Sequence, residues 1–209
     1  MRPLIPVRCG GLKENMRKLL LCASTVLLCA GLYGTDLASA NRAYQQKEYI
    51  TALKEFTVLA EQGDAVAQLA LGRMYMIGQG VKQDREEAVK WLNASATQGN
   101  ADAQFFLGAM YLLPQTDIGT GIKWLRVSAE QGNQDAQYLL GKTYMRGAKE
   151  LARDQIQGAM WLLLAAKGNK EFYQDELHGA ERQMTPEQIA KAKALAAVWM
   201  PSKSPGSNP

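Results

Sequence analysis

Apolar and small residues recur along most of this chain at spacings of three and four, the signature of one face of an α-helix. Ala88, Leu92, Ala96 and Gly99 form one such stripe, and Gly121, Leu125, Ala129 and Gly132 repeat it. Each stripe is followed by a second: Ala67, Leu71 and Met74, then Ala103, Leu107 and Met110, then Ala136, Leu140 and Thr143. Gly72, Gly108 and Gly141 are expected to let neighbouring helices approach closely, with Tyr75, Tyr111 and Tyr144 filling the space between pairs. No period-two run of Val, Ile and Thr reaches useful length, so the pattern predicts an all-α fold.

The helix pairs are copies of one another. AEQGD at 60–64, ATQGN at 96–100, AEQGN at 129–133 and AAKGN at 165–169 carry glycines spaced 36, 33 and 36 residues apart. Each glycine is expected to end a first helix in the left-handed conformation, and the Asp or Asn after it to cap the second. GQGVKQD at 78–84, LPQTDIG at 113–119 and RGAKELARD at 146–154 read as loops between units, with Asp84 and Asp154 capping the next helices. One pair cannot bury its stripe alone, whereas stacked copies share a continuous core, so residues 41–200 form one solenoid. Near its end Thr185 is placed as N-cap before Pro186 and Glu187, opening a closing helix with Ile189, Ala192, Ala196 and Trp199 on one side. Residues 201–209, PSKSPGSNP, have the composition of a disordered tail.

KWLNASA at 90–96, KWLRVSA at 123–129 and MWLLLAA at 160–166 precede the glycines, and AVAQLALGRMY, ADAQFFLGAMY and QDAQYLLGKTY follow the first three. Together with the Gly-Gln-Gly-Val loop, these blocks resemble the Sel-one-like repeat, a relative of the tetratricopeptide repeat, over residues 43–168. The resemblance implies a right-handed α-solenoid of antiparallel helix pairs and a role in binding protein or peptide along the concave face. The copies depart from it at the ends: Glu55 stands where Trp91 and Trp124 do, and the fourth copy is one residue short between Trp161 and Gly168. Erosion of that kind suits terminal repeats, whose outer faces meet water.

The first forty residues are different in kind. Arg17 and Lys18 precede an apolar run from Leu19 to Leu32 and then Ala38-Ser39-Ala40, the order of a secretory signal peptide, so residues 1–40 are expected to be removed and the mature chain to begin at Asn41. An uncleaved anchor is the alternative, but the run falls short of the roughly 20 residues that span a bilayer. Residues 1–15 make a poor leader, which makes Met16 an alternative start. Leu28 before Cys29 and Leu21 before Cys22 do not suit a lipoprotein signal, which needs a small residue there. Periplasmic or secreted localisation follows.

Charge and thiol content narrow the chemistry. Of the formal +4, the first forty residues supply +3, leaving a near-neutral body whose interspersed signs do not suit nucleic acid. Cys9, Cys22 and Cys29 all lie in the leader and His178 is the only histidine, so the body has no thiol nucleophile, disulfide or Cys/His metal site. His178 with Asp175, Glu176 and Glu181 reads as a charged surface, and the adjacent pairs Glu86-Glu87 and Asp175-Glu176 point apart on a helix. A β-lactamase-like activity would need Ser-x-x-Lys, and no Ser is followed by Lys at that spacing. No catalytic residue, metal or cofactor is assigned.

One surface pattern recurs. Lys54, Lys90 and Lys123 occupy one repeat position, followed three residues later by Thr57, Asn93 and Arg126. A solvated helix surface accounts for such residues, and a groove for an extended peptide or anionic polymer is the functional alternative; Lys54, Lys90, Asn93, Lys123 and Arg126 are its candidate binding residues. The expected protein is an exported, non-enzymatic scaffold for a protein or peptide of the cell envelope, without a membrane span after cleavage. The alternative is an envelope enzyme or accessory subunit acting on cell-wall material.

Overall fold

The computed structural model describes residues 36–113, 116–148, 151–168 and 171–201. The expected leader therefore lies outside the described residues except for its last five, as does the expected tail beyond Pro201. Ten helices appear among the described residues: α1 Leu37–Gln45, α2 Tyr49–Glu61, α3 Ala65–Ile77, α4 Arg85–Thr97, α5 Ala101–Tyr111, α6 Ile118–Glu130, α7 Gln134–Arg146, α8 Gln155–Ala165, α9 Glu171–Glu181 and α10 Pro186–Val198. Helices α1 to α9 each pack mainly on their neighbours in the chain, as an α-solenoid requires, while α10 returns onto α8.

Local chemistry sets the turns within pairs. Gly63, Gly99 and Gly132 have φ of 94°, 91° and 93°, a region that L side chains rarely adopt. Their amides donate to Ala60, Ala96 and Ala129, and the next amides, of Asp64, Asn100 and Asn133, reach back to Leu59, Ser95 and Ser128. This double closure satisfies the last carbonyls of the first helix. The same Asp or Asn then caps the second helix: Asp64 accepts from Val66 and Ala67, Asn100 from Ala103 and Asn133 from Ala136.

Gly168 is an exception to the expected pattern. It lacks the left-handed φ of the other three, and a Cβ there would run into the Gln134 side chain. The missing residue before it explains the difference, because α8 stops at Ala165 with a right-handed cap at Ala166.

Between pairs, Asp84, Asp117 and Asp154 cap α4, α6 and α8. The amides of Asp84 and Asp154 also donate, at 3.0 Å, to the carbonyls of Tyr75 and Tyr144, so two loops of different sequence return by the same bond. Thr185 and Gln188 form a reciprocal capping box at α10.

The core is a row of clusters rather than one centre. Ala52, Phe56, Ala60, Ala67, Leu71 and Met74 bury one, and Ala88, Leu92, Ala96, Ala103 and Leu107 the next. Leu125, Ala129, Ala136, Leu140 and Trp161 continue it to Ala196 of α10. Thr143, expected on the buried stripe, is half-buried; its neighbour Tyr144 is inside. Backbone-close crossings set the helix spacing: a Cβ on Gly108 would lie 2.8 Å from Leu125 Cγ and 3.0 Å from the Gly121 carbonyl oxygen.

Helix α1 runs through the expected cleavage point. Ala40 is fully buried in the first cluster and Leu37 packs against it.

Candidate protein-binding surface

The repeats are locked by a buried polar ladder that uses the Gln of the Ala-Gln block. Gln68, Gln104 and Gln137 are buried, and their side-chain amides donate to the carbonyls of Ala60, Ala96 and Ala129 at 3.0 to 3.1 Å. The oxygens of Gln68 and Gln104 face the following repeat: Gln98 donates to Gln68 at 2.7 Å and Gln131 to Gln104 at 2.6 Å. Beside them Ser95 and Ser128, fully buried, donate to the carbonyls of Ala65 and Ala101 at 2.6 Å. A buried amide costs stability unless both ends are satisfied, so this ladder fixes register between repeats as well as adding hydrogen bonds. The sequence showed these letters recurring but not where they point.

With one stripe of each first helix committed to the stack, the opposite side is free to face outward. Lys54 on α2, Lys90 and Asn93 on α4, and Lys123 and Arg126 on α6 are all exposed. Their surroundings differ from copy to copy. Lys90 Nζ lies 3.1 Å from Glu87 and 5.2 Å from the Trp91 ring centroid. Arg126 donates to the hydroxyl of Tyr144 on α7. The Thr120 hydroxyl and amide donate to Asp117 and, with the charge of Lys123, hold that carboxyl below its ordinary range.

Near His178, which is exposed, Glu176 pairs with Lys142 at 2.5 Å and Glu181 with Lys193 at 3.2 Å. Those two carboxylates are engaged by lysines rather than by the imidazole.

The second helices present features that the sequence pattern did not single out. A cavity of about 320 Å³ opens between α3 and α5, lined by Met76, Gln83, Arg85, Phe106, Ala109, Met110 and Leu113. Further along, Phe105, Tyr138, Phe172 and Tyr173 line an aromatic hollow of about 370 Å³, with Asp135 accepting from the Tyr173 hydroxyl. The available signal was the Phe105-Phe106 doublet, which stands where the other copies read Leu69-Ala70 and Tyr138-Leu139.

Stacked helix pairs with glycine-Asx turns and a glutamine interlock define a repeat solenoid whose surface is assembled from equivalent positions of successive copies. The family model described as the Sel1 repeat matches residues 65–100, 101–133 and 134–170, and the chain belongs to that family. Each match begins on a second helix, so α1 and α2 lie outside it. Among solved structures, the chain is similar to c5321, described as a protective antigen present in uropathogenic Escherichia coli strains and displaying an SLR fold. The two are 28% identical with a TM-score of 0.67, over 78% of this chain and 38% of that one. It therefore spans well under half the length of that relative. A Sel1 repeat protein from Oxalobacter formigenes shares the fold at 24% identity and a TM-score of 0.65, over 78% of this chain and 70% of that one. No curated protein matches the chain in sequence. Among the described residues no helix is long and apolar enough to cross a membrane.

Proposed function

We propose that this chain is an exported, non-enzymatic scaffold that binds a protein or peptide of the cell envelope along its first-helix face. The observation that carries the reading is the contrast within α2, α4 and α6. One stripe of each locks the stack, while Lys54, Lys90, Asn93, Lys123 and Arg126 recur at exposed positions of the same register. A solenoid offers such a row to an extended partner through many modest contacts, so shape and distributed polar groups supply specificity. Export rests on the leader-like N-terminus, and the resemblance to a bacterial protective antigen supports it. Cutting after Ala40 takes the first turn of α1, with Leu37 and the buried Ala40, out of the first cluster.

The test places a photo-crosslinking amino acid at Asn93 in the full chain, produced in a bacterial host, with a second at Lys191 on α10 for comparison. The expected result is a defined envelope protein joined at Asn93, absent at Lys191, and lost when Lys90, Lys123 and Arg126 are replaced by Ala. Equal labelling at the two positions, or labelling indifferent to the triple replacement, removes the first-helix face from the proposal. Recovery of the chain in the cytoplasm with residues 1–40 attached removes export.

A further inference from the structure

The cavity between α3 and α5 combines apolar walls with one cation in its lining, Arg85, and a second, Arg73, against the ring of its Phe106 wall; neither has an ionic partner among the described residues. Met76, Phe106, Ala109, Met110 and Leu113 supply the walls, and Leu113 is 47% exposed at the mouth. The two polar lining residues are fixed in place by helix-end carbonyls. Gln83 donates to Met76 at 2.9 Å, and one terminal nitrogen of Arg85 donates to Met110 at 2.9 Å, leaving the rest of its guanidinium for another acceptor. The Arg73 guanidinium sits 5.3 Å from the centroid of Phe106. Neither Arg73 nor Arg85 forms an ion pair with another described residue, whereas Lys90, Lys142 and Lys193 all do. Arg85 in the lining and Arg73 beside the Phe106 wall complement a ligand that is apolar at one point and anionic beside it. Two methionines in the lining give walls that adjust to different aliphatic shapes.

We propose that this cavity docks an acidic segment of a partner protein, which inserts one aliphatic side chain between Met76, Phe106 and Met110 and sets neighbouring carboxylates against Arg73 and Arg85. The volume suits one or two aliphatic side chains and is near the lower end, about 300 Å³, of the range for small-molecule pockets. Arg is suited to the carboxylates because its planar fork bonds them in pairs. The site uses second helices and the start of α4, so it is separate from the recurring row of Lys54, Lys90 and Lys123. One chain carrying both surfaces joins two partners.

The experiment pans a display library of random dodecapeptides against the full chain and measures the best binder, made synthetically with a fluorescent label, by polarisation. The expected binder has Leu, Ile or Met within two positions of Asp or Glu. Its affinity falls at least tenfold in the R73E/R85E variant and also in L113E, an exposed replacement that leaves the core intact. Raising the salt weakens binding to the parent and has little effect on what remains in R73E/R85E, because exposed charges act through a screened field. A109F, which fills the cavity, abolishes binding while its circular dichroism spectrum matches the parent; should it fail to fold, L113E carries the same test. Enrichment of basic or uncharged peptides, no enrichment, or affinity kept within twofold in both R73E/R85E and L113E overturns the proposal.

Discussion

The middle of the solenoid and its two ends are built from the same helix pair but solve different problems. In the middle, Trp91 and Trp124 each pack onto the core of the preceding repeat, and Gln98 and Gln131 each donate to a buried glutamine one repeat back. At the N-terminal end the tryptophan position holds Glu55, and its Oε2 is buried with no hydrogen-bond partner among the described residues. At the C-terminal end the glutamine position holds Lys167, whose ammonium donates to the Ala196 carbonyl of α10 instead of reaching back along the ladder. Trp161 there meets Trp199 edge-on at 6.1 Å. A repeat is thus specified by what lies on both sides of it, and a terminal copy changes the residues that would otherwise have addressed a missing neighbour.

The comparison breaks most decisively at the glycines. Gly108→Val in the middle should destabilise by about 2 to 4 kcal/mol, since the new side chain meets Leu125 and the α6 backbone and a β-branched residue weakens the helix. A thermal melt like the parent's would show that the α5–α6 crossing can open without cost. Next in size, Gln104→Leu removes the side-chain bond to the Ala96 carbonyl and the one from the Gln131 amide, and should cost about 1 to 3 kcal/mol in chemical denaturation. At the N-terminal end the sign reverses. Glu55→Leu removes a buried unpaired oxygen and should stabilise by about 1 kcal/mol. At Gly179 on α9 an added Cβ would meet nothing within 4 Å, so Gly179→Ala should stabilise by about 0.5 to 1 kcal/mol through helix propensity alone. If Gly179→Ala and Gly108→Val shifted the melt alike, the contrast between middle and end would collapse.

What could be read from the sequence follows the range over which each interaction acts. The glycine turns and the caps at Asp64, Asn100 and Asn133 were legible because every partner lies within six residues. Gly168 misled because it keeps the letters of the motif while the helix before it ends early. The glutamine ladder was visible as recurrence but not as structure, since Gln68 and Gln98 meet across 30 residues and either would also suit a surface. Leu37 and Ala40 were read with the leader because their apolar character fits both a cleavage region and the first turn of α1. The exposure of Lys90 and Arg126 was legible; their contacts with Glu87 and Tyr144 depend on side-chain reach that the pattern does not encode. The Met76–Phe106 cavity was hidden because apolar residues at those positions look the same whether they fill a core or line an opening.

The smallest effect concerns a cap in the middle of the stack. Asp117 opens α6, accepting from the Thr120 amide at 3.1 Å and the Thr120 hydroxyl at 2.6 Å, and its carboxyl ionises below the ordinary value of 3.8. A carboxyl depressed in the folded state contributes stability that is fully present above its unfolded value and is lost as pH falls through the folded one. Asn keeps an acceptor for the helix N-terminus but carries no charge to attract Lys123 or the helix dipole. Asp117→Asn should therefore melt slightly below the parent at pH 6 to 7, and the two curves should converge as the pH is lowered past the carboxylate range. Because the site is exposed, added salt should narrow the gap at neutral pH as well. A gap that persisted unchanged at low pH would assign the effect to the geometry of the cap rather than to its charge, and would leave the α6 start no different from the uncharged Asn100 and Asn133 caps on α5 and α7.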